Sequence, residues 1–173
     1  DQLQKQISNI LFNIPNIAYT DVPIGKDDKS NKLIYRKGKV RKFDFQVKSH
    51  IEIGEKNNQI DFKNSSKLSG SRFVILNSNF ALLERALINF MLDTHINKFS
   101  YKEISPPLLV NENVMFGTGQ LPKFEEDQFE IKLTREEERK FLIPTAEVVL
   151  TNIVRDSIIE AKLLPLRYVA ATP

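Results

Sequence analysis

Apolar residues recur at helical spacing in three stretches of this chain. Leu3, Ile7, Ile10 and Ile14 are spaced four, three and four. That is the seam of a helix that packs on another helix in coiled-coil fashion. Pro15 ends it, because its ring removes a backbone donor and disfavours helix at Ile14. The plainer reading is a surface helix lying on the core. The strongest periodic signal is Leu83, Ala86, Leu87, Phe90 and Met91, which fall on one face. Leu82 and Ile88 lie off that stripe, so more than one side is expected to be covered. A helix wedged between its own sheet and a second subunit suits this, as does burial within one subunit. Asn77, Ser78 and Asn79 precede it, and any of the three could cap it by accepting a backbone N–H bond. The third stretch follows Pro144, with Ala146, Val149, Leu150, Ile153 and Val154 at apolar positions.

Short apolar runs between these helices read as strands: Arg72 to Leu76, Tyr101 to Ile104, Phe141 to Ile143 and Tyr168 to Ala171. Prolines close two of them, Pro106-Pro107 and Pro144, since proline cannot donate to a ladder. Irregular alternation with proline-punctuated strands predicts an α+β fold with a mixed or antiparallel sheet flanked by helices. Residues 49–70 read as short helical turns and loops, and residues 15–48 as irregular and polar. Gly117-Thr118-Gly119-Gln120-Leu121-Pro122-Lys123 tempts a phosphate-loop reading, but its spacing is neither GxGxxG nor Walker A. A structural turn is expected. The charged segment from Glu125 to Lys140, with Glu136-Glu137-Glu138 inside it, reads as a solvated hairpin tip or surface helix.

Composition narrows the classes. With 41% hydrophobic and 27% charged residues, the 173-residue chain is not disordered and is long enough for a real core. The absence of cysteine excludes a disulfide framework, a thiolate zinc site and a cysteine nucleophile. It fits a reducing, cytoplasmic setting. No run of 18 or more apolar residues predicts a membrane span. The start lacks both a signal peptide and Met, so the chain is expected to begin inside a longer protein.

A net charge of +3 hints mildly at an anionic partner. Nine Lys/Arg fall between Lys26 and Lys48 against three acids, Asp27, Asp28 and Asp44. Phosphate contact is one reading and a solvated loop the plainer one. No repeated aromatic interleaving supports a base-stacking groove. His50 and His95 stand apart without HxxxH or HExxH company, so no metal site is expected. No Ser–His–Asp set assembles either. One compact polar group remains at a strand-to-helix junction, Thr145 with Glu147. Thr145 could simply cap the helix, with Glu147 complementing its dipole. Alternatively, hydroxyl, backbone carbonyl and carboxylate accept bonds from a substrate –NH₃⁺, which is donor-only.

These residues carry a resemblance. Glu84-Arg85-Ala86-Leu87-Ile88-Asn89-Phe90-Met91-Leu92-Asp93 resembles the motif 1 helix of bacterial-type seryl-tRNA synthetases. The strand ending in Pro106-Pro107-Leu108-Leu109-Val110-Asn111 resembles the rest of that motif, with Pro107 its characteristic proline. Gly117 to Phe124 is similar to a signature string of the family. Leu142-Ile143-Pro144-Thr145-Ala146-Glu147-Val148 resembles its serine-binding TAE motif. Ser69-Gly70-Ser71-Arg72-Phe73 and Ile14-Pro15-Asn16-Ile17 fit as well, in family order over essentially the whole chain.

The resemblance implies a class II aminoacyl-tRNA synthetase, built on an antiparallel sheet flanked by helices. Such an enzyme makes seryl-adenylate from serine and ATP with Mg2+ and transfers serine to tRNA(Ser), in some members also to selenocysteine tRNA. It implies that Thr145, Ala146 and Glu147 hold serine. It implies a homodimer through motif 1, about 78–107, including Glu84, Arg85, Asn89, Phe90 and Pro107. Residues 1–14 would end the tRNA-binding coiled-coil arm. Residues 15–48 would be a basic linker, and 49–173 the first part of the catalytic domain.

The family's motif 2, with an arginine on the ATP α-phosphate, begins after the point where Pro173 stands, and motif 3 follows later. Transition-state charge in this class depends on those groups. The 173 residues are therefore expected to be a fragment, to carry no catalytic residue themselves, to bind no cofactor, and to form no seryl-adenylate alone. A sheet lacking its later strands is expected to leave an exposed edge or apolar face, with self-association through motif 1 or partial disorder. Two alternatives stay open: a synthetase-like paralogue that loads an amino acid onto a carrier protein, and a non-catalytic dimerisation module.

Overall fold

A computed structural model describes residues 2–132 and 138–173. Two compact units emerge, one ending at Asn58 and the other running from Gln59 to Pro173.

The first unit opens on α1 (Gln2–Asn13), which stops just ahead of Ile14 and Pro15, as the proline predicts. The helix buries no residue. Ile7 and Ile10 of the heptad seam are 43% and 64% exposed, so nothing within this unit covers it. Beyond Asn13 the chain is irregular, apart from one 3₁₀ turn at Asp28–Ser30, where Asp27 accepts the Lys29 N–H at 3.1 Å. Every residue from 26 to 48 is exposed. α2 (His50–Lys56) starts on a reciprocal cap: Glu52 N–H donates to Ser49 Oγ, and Ser49 N–H donates to Glu52 Oε2 at 2.7 Å.

The second unit holds three small sheets. β1 (Ile60–Asp61) pairs antiparallel with β2 (Ile75–Leu76). Between them lies α3 (Phe62–Leu68), capped by Asp61, which accepts the Asn64 N–H at 2.8 Å. β3 (Lys102–Glu103) pairs parallel with β7 (Tyr168–Val169). β4 (Leu109–Asn111), β5 (Glu130–Ile131) and β6 (Lys140–Leu142) form an antiparallel sheet in the order β4-β6-β5. The fold is α+β with mixed pairing, as the sequence predicts. β5 and β6 are the two arms of the charged hairpin. Glu136 and Glu137, read as part of its tip, lie outside the described residues.

The core sits where β6 meets two short helices, α5 (Glu112–Gly117) and α6 (Glu147–Asn152). Val110, Met115, Leu121, Phe141 and Val148 are its buried members. Val110 stands directly opposite Phe141 in the ladder. The period of two in Lys140-Phe141-Leu142 turns only Phe141 inward. Leu121 is the core contribution of the glycine-containing loop, which accords with the structural-turn reading.

The long helix α4 (Asn79–Phe99) departs from expectation. The stripe of Leu83, Leu87, Phe90 and Met91 is not a buried face: these residues are 48–65% exposed, and the helix has no buried residue. Apolar side chains occur around most of its circumference, so no single face can be hidden against one small ladder. It meets β3 and β7, two-residue strands far shorter than the helix. The expected cap is also modified. Ser78 stands at the N-cap position with φ 50°, and no side-chain oxygen accepts there.

Arg139 binds three elements to the strand that feeds the candidate site. Its Nη1 donates to Glu112 at 2.7 Å, its Nη2 to Glu125 and, at 2.8 Å, to Glu130, and its Nε to Glu130 at 3.1 Å. The guanidinium lies over the Phe141 ring, 4.9 Å from its centroid. Single exposed ion pairs contribute little, but one fork shared among three carboxylates forms a network. The hydrogen bond from Arg139 holds the Glu130 carboxyl below its ordinary value of 4.5. A carboxyl depressed by folding adds stability above its unfolded value and loses it as pH falls through the folded one. Thermal stability should therefore drop below about pH 4.5. Arg139→Met should lower the melting temperature at neutral pH and flatten that acid limb. Glu52 and Asp61, lowered by their N-cap hydrogen bonds, keep their share. Melting curves at pH 3 to 7, taken as roughly spanning the carboxylate range, check this.

Candidate functional site

Thr145, Ala146 and Glu147 leave the sheet directly. The Ile143 N–H donates to the Leu108 carbonyl at 2.9 Å, the last ladder bond before Pro144 ends the strand. α6 begins at Glu147, and Ala146 is its N-cap residue, in helical conformation. This corrects the capping role open to Thr145. No side chain caps α6, and the Thr145 hydroxyl makes no hydrogen bond among the described residues. Its backbone carbonyl accepts the Val148 N–H at 3.3 Å.

The anchor of α6 is Val148, fully buried, rather than the stripe read from the sequence; Ile153 of that stripe is 48% exposed. A six-residue helix is too short to set a face by periodicity, so packing against α5 decides. Asn152 fixes that packing: its Nδ2 donates to the carbonyls of Val114 at 3.0 Å and Val148 at 2.7 Å. Arg155 Nη1 adds a bond to the Asn113 carbonyl at 2.6 Å. Gly117 is required where α5 passes Asn152, since a Cβ there would stand 2.3 Å from Asn152 Oδ1.

Glu147 is exposed and has no ion pair or hydrogen bond among the described residues. It lines an open hollow of about 480 Å³ together with Leu150, Thr151, Leu166 and Tyr168. Thr145 lines a second hollow of about 360 Å³, walled by Met91, Leu92 and His95 of α4. Ala146, Val169 and Ala170 belong to both. The two hollows thus share lining residues between the Thr145 hydroxyl and the Glu147 carboxylate. Glu84, Arg85, Asn89, Phe90 and Pro107 are all exposed and line neither hollow. Thr151 and Tyr168, beside Glu147, were not singled out in the sequence: one read as a helix residue, the other as a strand residue. Among the described residues no group of three His, Asp or Glu could hold a metal ion. No described helix is long and apolar enough to cross a membrane.

The fold is that of seryl-tRNA synthetase structures. The seryl-tRNA synthetase of Pyrococcus horikoshii, solved complexed with ATP, superposes with a TM-score of 0.81 at 31% identity, over 98% of this chain and 41% of that one. The cytoplasmic serine–tRNA ligase of Naegleria fowleri, in complex with AMP, matches at a TM-score of 0.80 and 22% identity, a likeness of fold alone. No family model matches the chain. Curated relatives are closer in sequence. The serine–tRNA ligase of Pelagibacter ubique is 56% identical over 171 residues, covering 99% of this chain and 41% of its own length. That of Sulfurihydrogenibium sp. is 51% identical over 172 residues, covering 99% and 40%. The chain is thus homologous to the serine–tRNA ligases along nearly its whole length, and it spans about two fifths of the length of the curated relatives it matches. The carrier-protein and scaffold alternatives are not favoured by these names.

Proposed function

We propose that this chain supplies the amino-acid-holding part of a serine–tRNA ligase, with Glu147 accepting from the serine ammonium and Thr145 and the backbone of Ala146 completing its cradle. The observation that carries this reading is the unpaired Glu147 carboxylate at an open hollow, two residues along the chain from the uncommitted Thr145 hydroxyl. An ammonium has three donors and no acceptor, so a carboxylate, a hydroxyl and a carbonyl satisfy it.

The whole ligase would activate serine with ATP and Mg2+ to seryl-adenylate and pass the seryl group to tRNA(Ser) in the cytoplasm. It would act as a homodimer meeting through α4, with Glu84, Arg85, Asn89 and Phe90, and through Pro107. The part assigned to this chain's own side chains is to bind and orient the amino acid.

Isothermal titration of the 173-residue chain with L-serine tests the assignment. Glu147→Gln keeps the shape and removes the charge, and a hydrogen bond to a charged group contributes about 1.5–3 kcal/mol. Serine affinity should fall roughly ten- to hundredfold by that figure. 3-Hydroxypropanoate, which lacks the amino group, should bind neither protein. Equal serine affinity for both proteins would refute the assignment.

A further inference from the structure

We propose that residues 26–48 form an electrostatic contact surface for the RNA backbone, a role distinct from the serine binding assigned to Glu147. The proposal rests on the ligase reading for RNA as the partner. The nine Lys/Arg and three acids of this segment give it a net charge of +6. The other 150 residues hold sixteen Lys/Arg against nineteen acids, a net −3. The positive charge of the chain is therefore concentrated in one segment on an otherwise acidic protein. A basic segment balanced by local acids would carry ion pairs, yet none joins these nine cations among the described residues.

All 23 residues are exposed, so each cation can reach a ligand without rearrangement. Arg41 lies over the Phe43 ring, 5.0 Å from its centroid, and Phe43 packs on Phe45 at 5.1 Å. That stack holds one exposed arginine against an aromatic face, and a guanidinium keeps its fork of donors for phosphate oxygens when it is stacked. A single local stack is not a repeated platform. The surface therefore reads charge and spacing rather than base identity.

The test is binding of the 173-residue chain to tRNA transcripts across about 50 to 200 mM salt. Each neutralised phosphate contributes roughly 0.7–0.9 to the slope of log K against log salt. The variant Arg36→Gln/Lys37→Gln/Lys39→Gln/Arg41→Gln should lose about three from that slope and bind at least tenfold more weakly at low salt. A second variant, Lys26→Gln/Lys29→Gln/Lys32→Gln, should lose about two. Far-UV circular dichroism should be unchanged in both, because the segment is irregular and exposed. An unchanged slope in both variants overturns the proposal, as does tighter binding to mixed phosphatidylcholine–phosphatidylserine vesicles than to RNA. Serine titration separates the two claims. These variants should bind serine like the parent, whereas unaltered serine affinity in Glu147→Gln would count against the serine site alone.

Discussion

Replacing Phe141 with alanine should unfold the second unit. Phe141 is 1% exposed and sits on the middle strand of the β4-β6-β5 sheet, opposite Val110 and beneath the Arg139 guanidinium. Phe→Ala in a core costs about 3–5 kcal/mol from lost transfer energy and the cavity left behind. The whole stability of a domain is about 5–15 kcal/mol. Only six hydrophobic residues of the described chain are buried: Ile60, Val110, Met115, Leu121, Phe141 and Val148. So small a core places this protein near the bottom of that range. Urea unfolding followed by tyrosine fluorescence should show the transition shifted to the lowest denaturant or lost. Phe141→Leu, which retains most of the volume, should keep a transition. A midpoint unchanged in Phe141→Ala would mean that the core lies elsewhere.

Placing glutamates on α4 should dissociate the protein. Leu87 is 48% exposed and Phe90 65%, on a 21-residue helix without a buried residue. Covering the open half of such a side chain is worth about 1 kcal/mol. In a two-fold pair each appears twice, so Leu87→Glu/Phe90→Glu removes roughly 4 kcal/mol, close to a thousandfold in association by that figure. Sedimentation velocity should find the parent self-associated and the variant monomeric at the same concentration. Identical sedimentation of the two would assign the apolar surface of α4 to something other than a second copy.

The exposure of the α4 stripe excludes burial within this one chain and leaves the second-subunit reading open, for a physical reason. A periodic stripe identifies a helix and its apolar face, but not whether the covering surface belongs to the same chain. The rise in apolar content off the stripe, at Leu82 and Ile88, was the legible hint of more than one covered side. Strands were readable where proline punctuates them, and Pro144 correctly ends β6. The pairing of β3 with β7 was not readable, since no local pattern links Lys102 to Tyr168 across sixty-odd residues of chain. The Arg139 cluster was equally hidden, because its partners come from three elements. At the site, Thr145 and Glu147 were visible as a polar pair at a strand-to-helix junction. What decides against pure capping is geometric: α6 starts one residue later than capping by Thr145 requires, and Ala146 takes the cap position. Asn152 and Gly117 illustrate the limit, since their complementarity exists only once α5 and α6 are packed.

The most direct test is an amide-resolved magnetic resonance titration of the 173-residue chain with L-serine. Resonances of Thr145, Ala146 and Glu147 should move together with those of Thr151 and Tyr168 across the hollow, and Glu147→Gln should abolish the movement. Serine that leaves these five amides in place, or that moves them equally in Glu147→Gln, would contradict the account.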